Sequence, residues 1–167
     1  HMRSLHMSAL QTAMNELSNH DHSRFLTRTN HKVGRISYAG AEAASEGVNP
    51  AVMREAVAIQ MTWPGAPTVY YGDEAGLCGF TDPDNRRTYP WGREDYQMID
   101  FHRVMIRIHK NYEVLKTGSL GFLWNDYQGL CYARFSRKEQ MIVIINNQAE
   151  SRDVEIQLWQ AGISRLA

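Results

Sequence analysis

Val52, Ala56, Ile59 and Trp63 recur at helical spacing, stop at Pro64-Gly65, and give way at once to the β-prone run Ala66–Tyr71, APTVYY. Asn49-Pro50 ahead of the stripe reads as an N-cap followed by proline at the first helical position, where a missing N–H costs nothing. Gly72 closes the β run. After the polar loop Asp73–Arg93, a second helical stripe follows at Met98, Phe101, Met105, Ile108 and Tyr112. Upstream, the short mixed run Ala13–Ser18 leads towards a polar loop from Thr27 to Gly47. The order strand, loop, helix, strand, loop, helix is the signature of βα units around a parallel sheet. Such a sheet needs both faces covered, and two strands leave open edges on each side. The expectation is therefore a piece of a larger fold.

From Thr117 the pattern turns all β. Leu120–Trp124, Leu130–Phe135, Met141–Asn146 and Val154–Leu158 are short apolar or alternating runs, separated by the polar breaks NDYQG, SRKEQ and NNQAES. Val154, Ile156 and Leu158 alternate with polar residues, which predicts a half-buried antiparallel strand. A boundary is expected near Thr117-Gly118.

Charge excludes two classes of partner. Eighteen Lys and Arg balance eighteen Asp and Glu among the 167 residues, so neither a nucleic acid nor a membrane surface is expected. No run reads as a membrane span or a signal peptide. His1-Met2 has the look of a cloning remnant, and residues 1–9 are set aside as a tag remnant and frayed start. Cys78 and Cys131 sit in unlike contexts and read as buried thiols, which fits a reducing, cytoplasmic setting.

Two polar clusters carry the chemistry. The first, Leu17–Phe25, is LSNHDHSRF. Adjacent His20, Asp21 and His22 diverge along a strand or tight turn, so a metal site is disfavoured, and no metal or cofactor is expected. Asn and Asp are favoured in turns and caps, which is the plainer reading. The second cluster, Phe80–Arg87 or FTDPDNRR, holds two carboxylates and two guanidiniums. It reads either as a self-compensating set of salt bridges or as a set of acceptors and forked donors suited to a polyhydroxylated ligand. Loops at the carboxyl ends of strands carry sites in α/β folds, and both clusters follow predicted strands, so they could converge on one ligand. Trp63, Tyr89, Trp91 and Trp124 could supply stacking faces, although such residues are more often core or packing.

These residues carry a resemblance. MNELSNHDHSRF (Met14–Phe25) resembles the segment at the seventh barrel strand of the α-amylase family, glycoside hydrolase family 13. QMTWPGAPTVYYGDEAG (Gln60–Gly76) is similar to that family's passage into the eighth strand, G-x-P-x-[IV]-Y-Y-G-x-E. DPDNRR (Asp82–Arg87) with Tyr89-Pro90-Trp91 is similar to the corresponding loop of the neopullulanase, cyclomaltodextrinase and maltogenic amylase branch. The resemblance implies an α/β fold: the last two βα units of a (β/α)8 TIM barrel over 10–116, then a truncated antiparallel β C-terminal domain over 117–167. It implies an α-glucan-active retaining glycosidase, in which one carboxyl group is nucleophile and another general acid/base. Asp21 matches a third catalytic-site carboxylate that binds ring hydroxyls, His20 a histidine on the same ring, and Asp82 and Arg86 substrate-binding positions further along the donor side. Glu74 reads as structural.

On this reading the nucleophile and acid/base lie outside the chain, so the fragment alone is expected to be inactive, with α-glucan or maltooligosaccharide as substrate of the parent. Exposed barrel edges predict a homo-oligomer. A non-catalytic carbohydrate-binding module and a purely structural domain stay open as other readings.

Overall fold

A computed structural model of the chain describes residues 6–32 and 34–163; the cloning remnant expected at His1-Met2 lies outside them. The chain divides into two compact units. One takes in residues 14–60 and 67–106, and the other residues 61–66 and 107 onward, together with the start of the chain.

In the first unit, β1 (Met14–Glu16) leads through a loop to the short helices α2 (Phe25–Arg28) and α3 (Ile36–Ala39). The expected Thr27–Gly47 loop is thus partly helical, with a 3-10 turn at Glu42–Ala44. The helix α4 (Pro50–Thr62) begins where Asn49-Pro50 predicts. Asn49 Oδ1 accepts from the amides of Ala51 at 3.0 Å and Val52 at 3.3 Å, supplying the partners that a helix start lacks. Its buried line is Met53, Val57, Gln60 and Met61, one position round from the expected Val52–Trp63 stripe. The shift arises because the helix is covered on several sides: among residues 51–62 only Ala51 is exposed. β2 (Ala66–Thr68) pairs with β1, so regular strand occupies only the first half of Ala66–Tyr71. The Gln60 amide binds the chain near both strands, donating to the carbonyls of Asn15 at 3.1 Å and Thr68 at 2.8 Å. The second stripe becomes α5 (Tyr96–Asn111), capped by Asp95 Oδ1 on the Met98 amide at 3.0 Å. Its buried residues are Met98, His102 and Met105. His102, which the apolar pattern passed over, hydrogen-bonds through Nδ1 to the Met98 carbonyl at 2.9 Å, and this satisfies its burial.

The second unit holds the short helices α1 (Met7–Gln11) and α6 (Glu113–Thr117) and an antiparallel sheet of β3 (Ser119–Asp126), β4 (Gly129–Phe135) and β5 (Gln140–Asn146), in that order. The register runs Ser119 opposite Phe135 and Phe135 opposite Gln140, with a bulge between Phe122 and Trp124. The polar breaks are turn chemistry: Asp126 Oδ1 accepts from the amides of Gln128 and Gly129, and Ser136 Oγ from Lys138 and Glu139. Val154–Leu158 is not a strand. Burial alternates along it as expected, but residues 151–157 enter no ladder and Leu158–Ala161 is a 3-10 turn. Alternation requires only one packed face, whereas a strand also needs a neighbour whose N–H and C=O groups match its own. No helix among the described residues is long and apolar enough to cross a membrane.

Candidate functional site

The loop after β1 is shaped by Asn19. Its Oδ1 accepts from the amides of Asp21 at 2.9 Å and His22 at 3.0 Å, and its Nδ2 donates to Glu16 Oε1 at 2.6 Å. The side chain mimics a backbone turn, which is why asparagine suits this position. The turn reading of the motif is therefore right for Asn19. The next two residues are different: the side chains of His20 and Asp21 are 66% and 67% exposed, with His20 Nε2 3.5 Å from Asp21 Oδ1. No three His, Cys, Asp or Glu side chains among the described residues come together as a metal-binding group.

Arg24 closes the loop from beneath. Its side chain is fully buried, and the guanidinium reaches into the segment after β2. Nε donates to the Asn85 carbonyl at 2.9 Å, and Nη1 to the Tyr71 carbonyl at 2.5 Å and to Asp73 Oδ1 at 3.1 Å. Both tyrosines of the YYG run flank it, with ring centroids 4.3 and 4.7 Å from Cζ. A delocalised, weakly hydrated cation is suited to such a stacked, buried site, where lysine would not serve. Burial pushes the Asp73 carboxyl above its ordinary range, opposed by the Ser18 hydroxyl and the Arg24 charge.

The four charges of Asp82–Arg87 sort into two unlike pairs. Asp84 is buried; it accepts the Phe80 amide at 2.7 Å and takes Arg87 through both oxygens at 2.8 Å each. That pair holds the loop together. Asp82 and Arg86 form the other, 2.6 Å apart with side chains 53% and 49% exposed. Both pairs are the salt bridges of the self-compensating reading, one turned inward and one exposed.

The two loops meet. Asn85, fully buried, donates from Nδ2 to the carbonyls of Asn19 at 3.1 Å and His22 at 2.8 Å, and Arg86 Nε reaches the His20 carbonyl at 3.3 Å. Gly79 allows the approach. Its carbonyl accepts the Arg24 amide at 2.9 Å, and a Cβ on it would lie 2.4 Å from the Asp84 carbonyl oxygen. Of the expected site residues, His20, Asp21, Asp82 and Arg86 are thus gathered on one exposed surface. Arg24, Asn85 and Asp84, which sequence reasoning quoted but assigned no role, hold that surface in place. Glu74 Oε2 accepts the Gly72 amide at 2.9 Å, a turn-closing contact. Of the stacking candidates, Trp63 packs against Phe122 and Tyr132, and the Arg152 guanidinium lies over Trp124 at 4.7 Å.

The description "Alpha amylase, catalytic domain" matches residues 1–158. The chain belongs to the alpha-amylase family. This alpha-amylase-family chain is 34% identical over 158 residues to neopullulanase 2 of Thermoactinomyces vulgaris, a match covering 92% of the chain and 24% of that protein. It is 32% identical over 163 residues to an amylopullulanase of Thermoanaerobacter thermohydrosulfuricus, covering 87% of the chain and 10% of that protein. The debranching enzyme of Nostoc punctiforme is similar in structure, with a TM-score of 0.74 and 29% identity over 93% of this chain and 28% of that one. The chain therefore spans between about a tenth and a quarter of the length of these curated relatives. Its fold is α/β of the type related to the TIM barrel, accompanied by a three-stranded antiparallel sheet.

Proposed function

We propose that this chain supplies part of the sugar-binding wall of a retaining glycoside hydrolase acting on α-glucans. The observation that carries the reading is the meeting of the two loops, through which exposed Asp21 and His20 stand beside exposed Asp82 and Arg86. Carboxylates and a guanidinium fork match the paired hydroxyls of a pyranose, accepting and donating in fixed geometry. Neopullulanase and amylopullulanase are the names of two relatives, and these names support α-glucan as the substrate class.

In this reading Asp21 grips ring hydroxyls at the cleavage point, His20 assists on the same ring, and Asp82 and Arg86 hold sugar further along the donor side. Residues 10–116 are the last two βα units of the barrel, and residues 117–167 belong to the β domain after it. A retaining mechanism needs a nucleophile and a general acid/base in addition, and the reading assigns these to earlier barrel strands. The 167-residue polypeptide on its own is then expected to release no sugar from maltodextrin, cyclodextrin or pullulan. Two buried thiols, Cys78 and Cys131, support a cytoplasmic setting. The short two- and three-stranded sheets support self-association, for which sedimentation at rising concentration is the check.

The direct test is an amide NMR titration of the chain with maltotriose. Shifts at residues 19–22 and 82–87, abolished in Asp21→Ala and Arg86→Ala, are the expected result. A saturating titration that leaves both loops unmoved refutes the reading.

A further inference from the structure

Both ends of the LSNHDHSRF loop lean on the Asp73 carboxylate. Ser18, near its start, is buried; its hydroxyl hydrogen-bonds Asp73, while its Oγ accepts the Phe25 amide at 2.9 Å. Arg24, near its end, is fully buried, with Nη1 3.1 Å from Asp73 Oδ1. Between these two buried residues the chain turns outward, and His20, Asp21 and His22 are exposed. Asp73 is itself held by the main chain: its amide donates to the Tyr70 carbonyl at 3.1 Å, and its carbonyl accepts the Gly76 amide at 3.3 Å. A short loop with both ends fixed on one rigid point keeps its tip in place, because few backbone dihedrals are left free.

The charge of Asp73 matters to this hold. Among the described residues it is the only carboxylate paired with Arg24. The other acceptors for that guanidinium are the carbonyls of Tyr71 and Asn85, and Nη2 is buried without a hydrogen-bond partner. A neutral carboxyl accepts a weaker hydrogen bond and offers the cation no counter-charge. The groups acting on Asp73 come from several elements: Ser18 and Arg24 from the loop, Arg28 from α2, Cys78 from the segment after β2 and His102 from α5. Burial raises the Asp73 carboxyl above its ordinary range despite the cations. The folded chain then takes up this proton more readily than the unfolded one, so through this group folding is favoured, not lost, as pH falls.

We propose that Asp73 is a positioning residue for the sugar-binding wall: its negative charge, acting through Arg24 and Ser18, fixes where His20 and Asp21 stand. Arg24 carries the hold across to the second loop, donating from Nε to the Asn85 carbonyl and from its amide to the Gly79 carbonyl, each at 2.9 Å. Asp82 and Arg86 are placed by the same anchor. Loss of the charge lets the wall drift while the chain stays folded, so sugar is held firmly above the pH at which Asp73 takes its proton and weakly below it. The sugar part of this inference rests on the reading of the preceding subsection, and the anchoring does not.

The test follows the Asp73 Cγ signal and the backbone amides of the 167-residue chain by NMR as pH is lowered from neutral, first without sugar. The Cγ signal is expected to titrate above the ordinary aspartate value of about 4, with amides 19–22 and 85–86 moving at the same midpoint. Asp73→Asn, which keeps the shape and an acceptor oxygen without the charge, should abolish that step in the amides. Maltotriose affinity should fall about tenfold across the step, and Asp73→Asn should bind at the weaker level on both sides of it. A Cγ titration that leaves amides 19–22 and 85–86 unmoved overturns the proposal, and this comparison needs no variant to fold. Asp73→Asn binding maltotriose as tightly at neutral pH as the unsubstituted chain overturns it too. Amides that move with Asp73, in a chain whose loops saturating maltotriose leaves still, bear out the anchor and overturn the sugar reading.

Discussion

Among the described residues each unit buries one arginine completely, and the two are accommodated in different ways. Arg24 faces a carboxylate: Asp73 lies 3.1 Å away, with two tyrosine rings and two carbonyls also around the guanidinium. Arg134, on β4, meets two carbonyls, donating from Nη1 to Thr62 at 2.7 Å and from Nη2 to Gly118 at 2.9 Å. Thr62 ends α4, so Arg134 sits at the helix C-terminus, where the partial negative charge of the helix lies. His109 Nδ1 serves the neighbouring Met61 carbonyl at 2.8 Å. A helix end is a diffuse counter-charge and Asp73 a full one. Burial pushes the Arg134 guanidinium down to about 10, with nothing but Tyr132 acting against it. The lesson is one of cost: a buried cation held by dipoles depends on each bond, whereas one held by an anion also protects its partner from being left charged and dry.

The largest effect expected from this contrast is at Arg24. Arg24→Met strands Asp73 in the interior and should cost about 3–5 kcal/mol, read as a fall in the urea midpoint. Arg134→Met leaves only carbonyls unpaired and should cost about 1–3 kcal/mol. Equal losses would erase the distinction. Adding Asp73→Leu to Arg24→Met should return part of the loss, because the stranded charge goes with it. If the double variant is as unstable as the sum of the two singles, Asp73 was not the reason.

Gly79→Ala comes next, since its Cβ would lie 2.4 Å from a backbone oxygen that is held in place by the loop. A loss of about 1–3 kcal/mol is expected, together with displacement of amides 19–22. A stability within experimental error of the parent chain would mean that the two loops separate easily.

The smallest effect is at Tyr132, whose hydroxyl is 2.5 Å from Thr62 Oγ1 and whose phenol burial pushes up to about 12. Tyr132→Phe should cost about 1 kcal/mol near neutral pH. The raised phenol binds a proton in the folded state that the unfolded chain has lost, so its contribution is intact below about pH 10 and disappears as pH rises towards 12. Arg134, shifted down, has the opposite sign over the same range. The deficit of the Phe variant should therefore shrink between about pH 10 and pH 12, and a constant deficit in alkaline denaturation curves would contradict the assignment.

The βα skeleton was legible because its signals are local. Asn49-Pro50 caps a helix by its own side chain and ring, and Pro64-Gly65 ends one whatever lies nearby. The quoted motifs were enough to place the chain in its family. The buried line of α4 was not legible, since a helix covered on several sides leaves no single polar face to mark it. Val154–Leu158 carried the right alternation and lacked only a hydrogen-bonding neighbour, which no period can supply.

The candidate site divides along the same line. Sequence by itself determined that Asn19 turns the chain, that His20 and Asp21 follow it, and that four charges crowd into DPDNRR. Only the tertiary structure decided that Asp84 and Arg87 go inward while Asp82 and Arg86 stay out, because the Phe80 amide and the Ala41 carbonyl select the inner pair. It likewise decided that Arg24 joins the two loops. Its partners, Tyr71, Asp73 and Asn85, lie 47, 49 and 61 residues along the chain, and contacts at such separations follow from how elements pack, not from any spacing along the sequence.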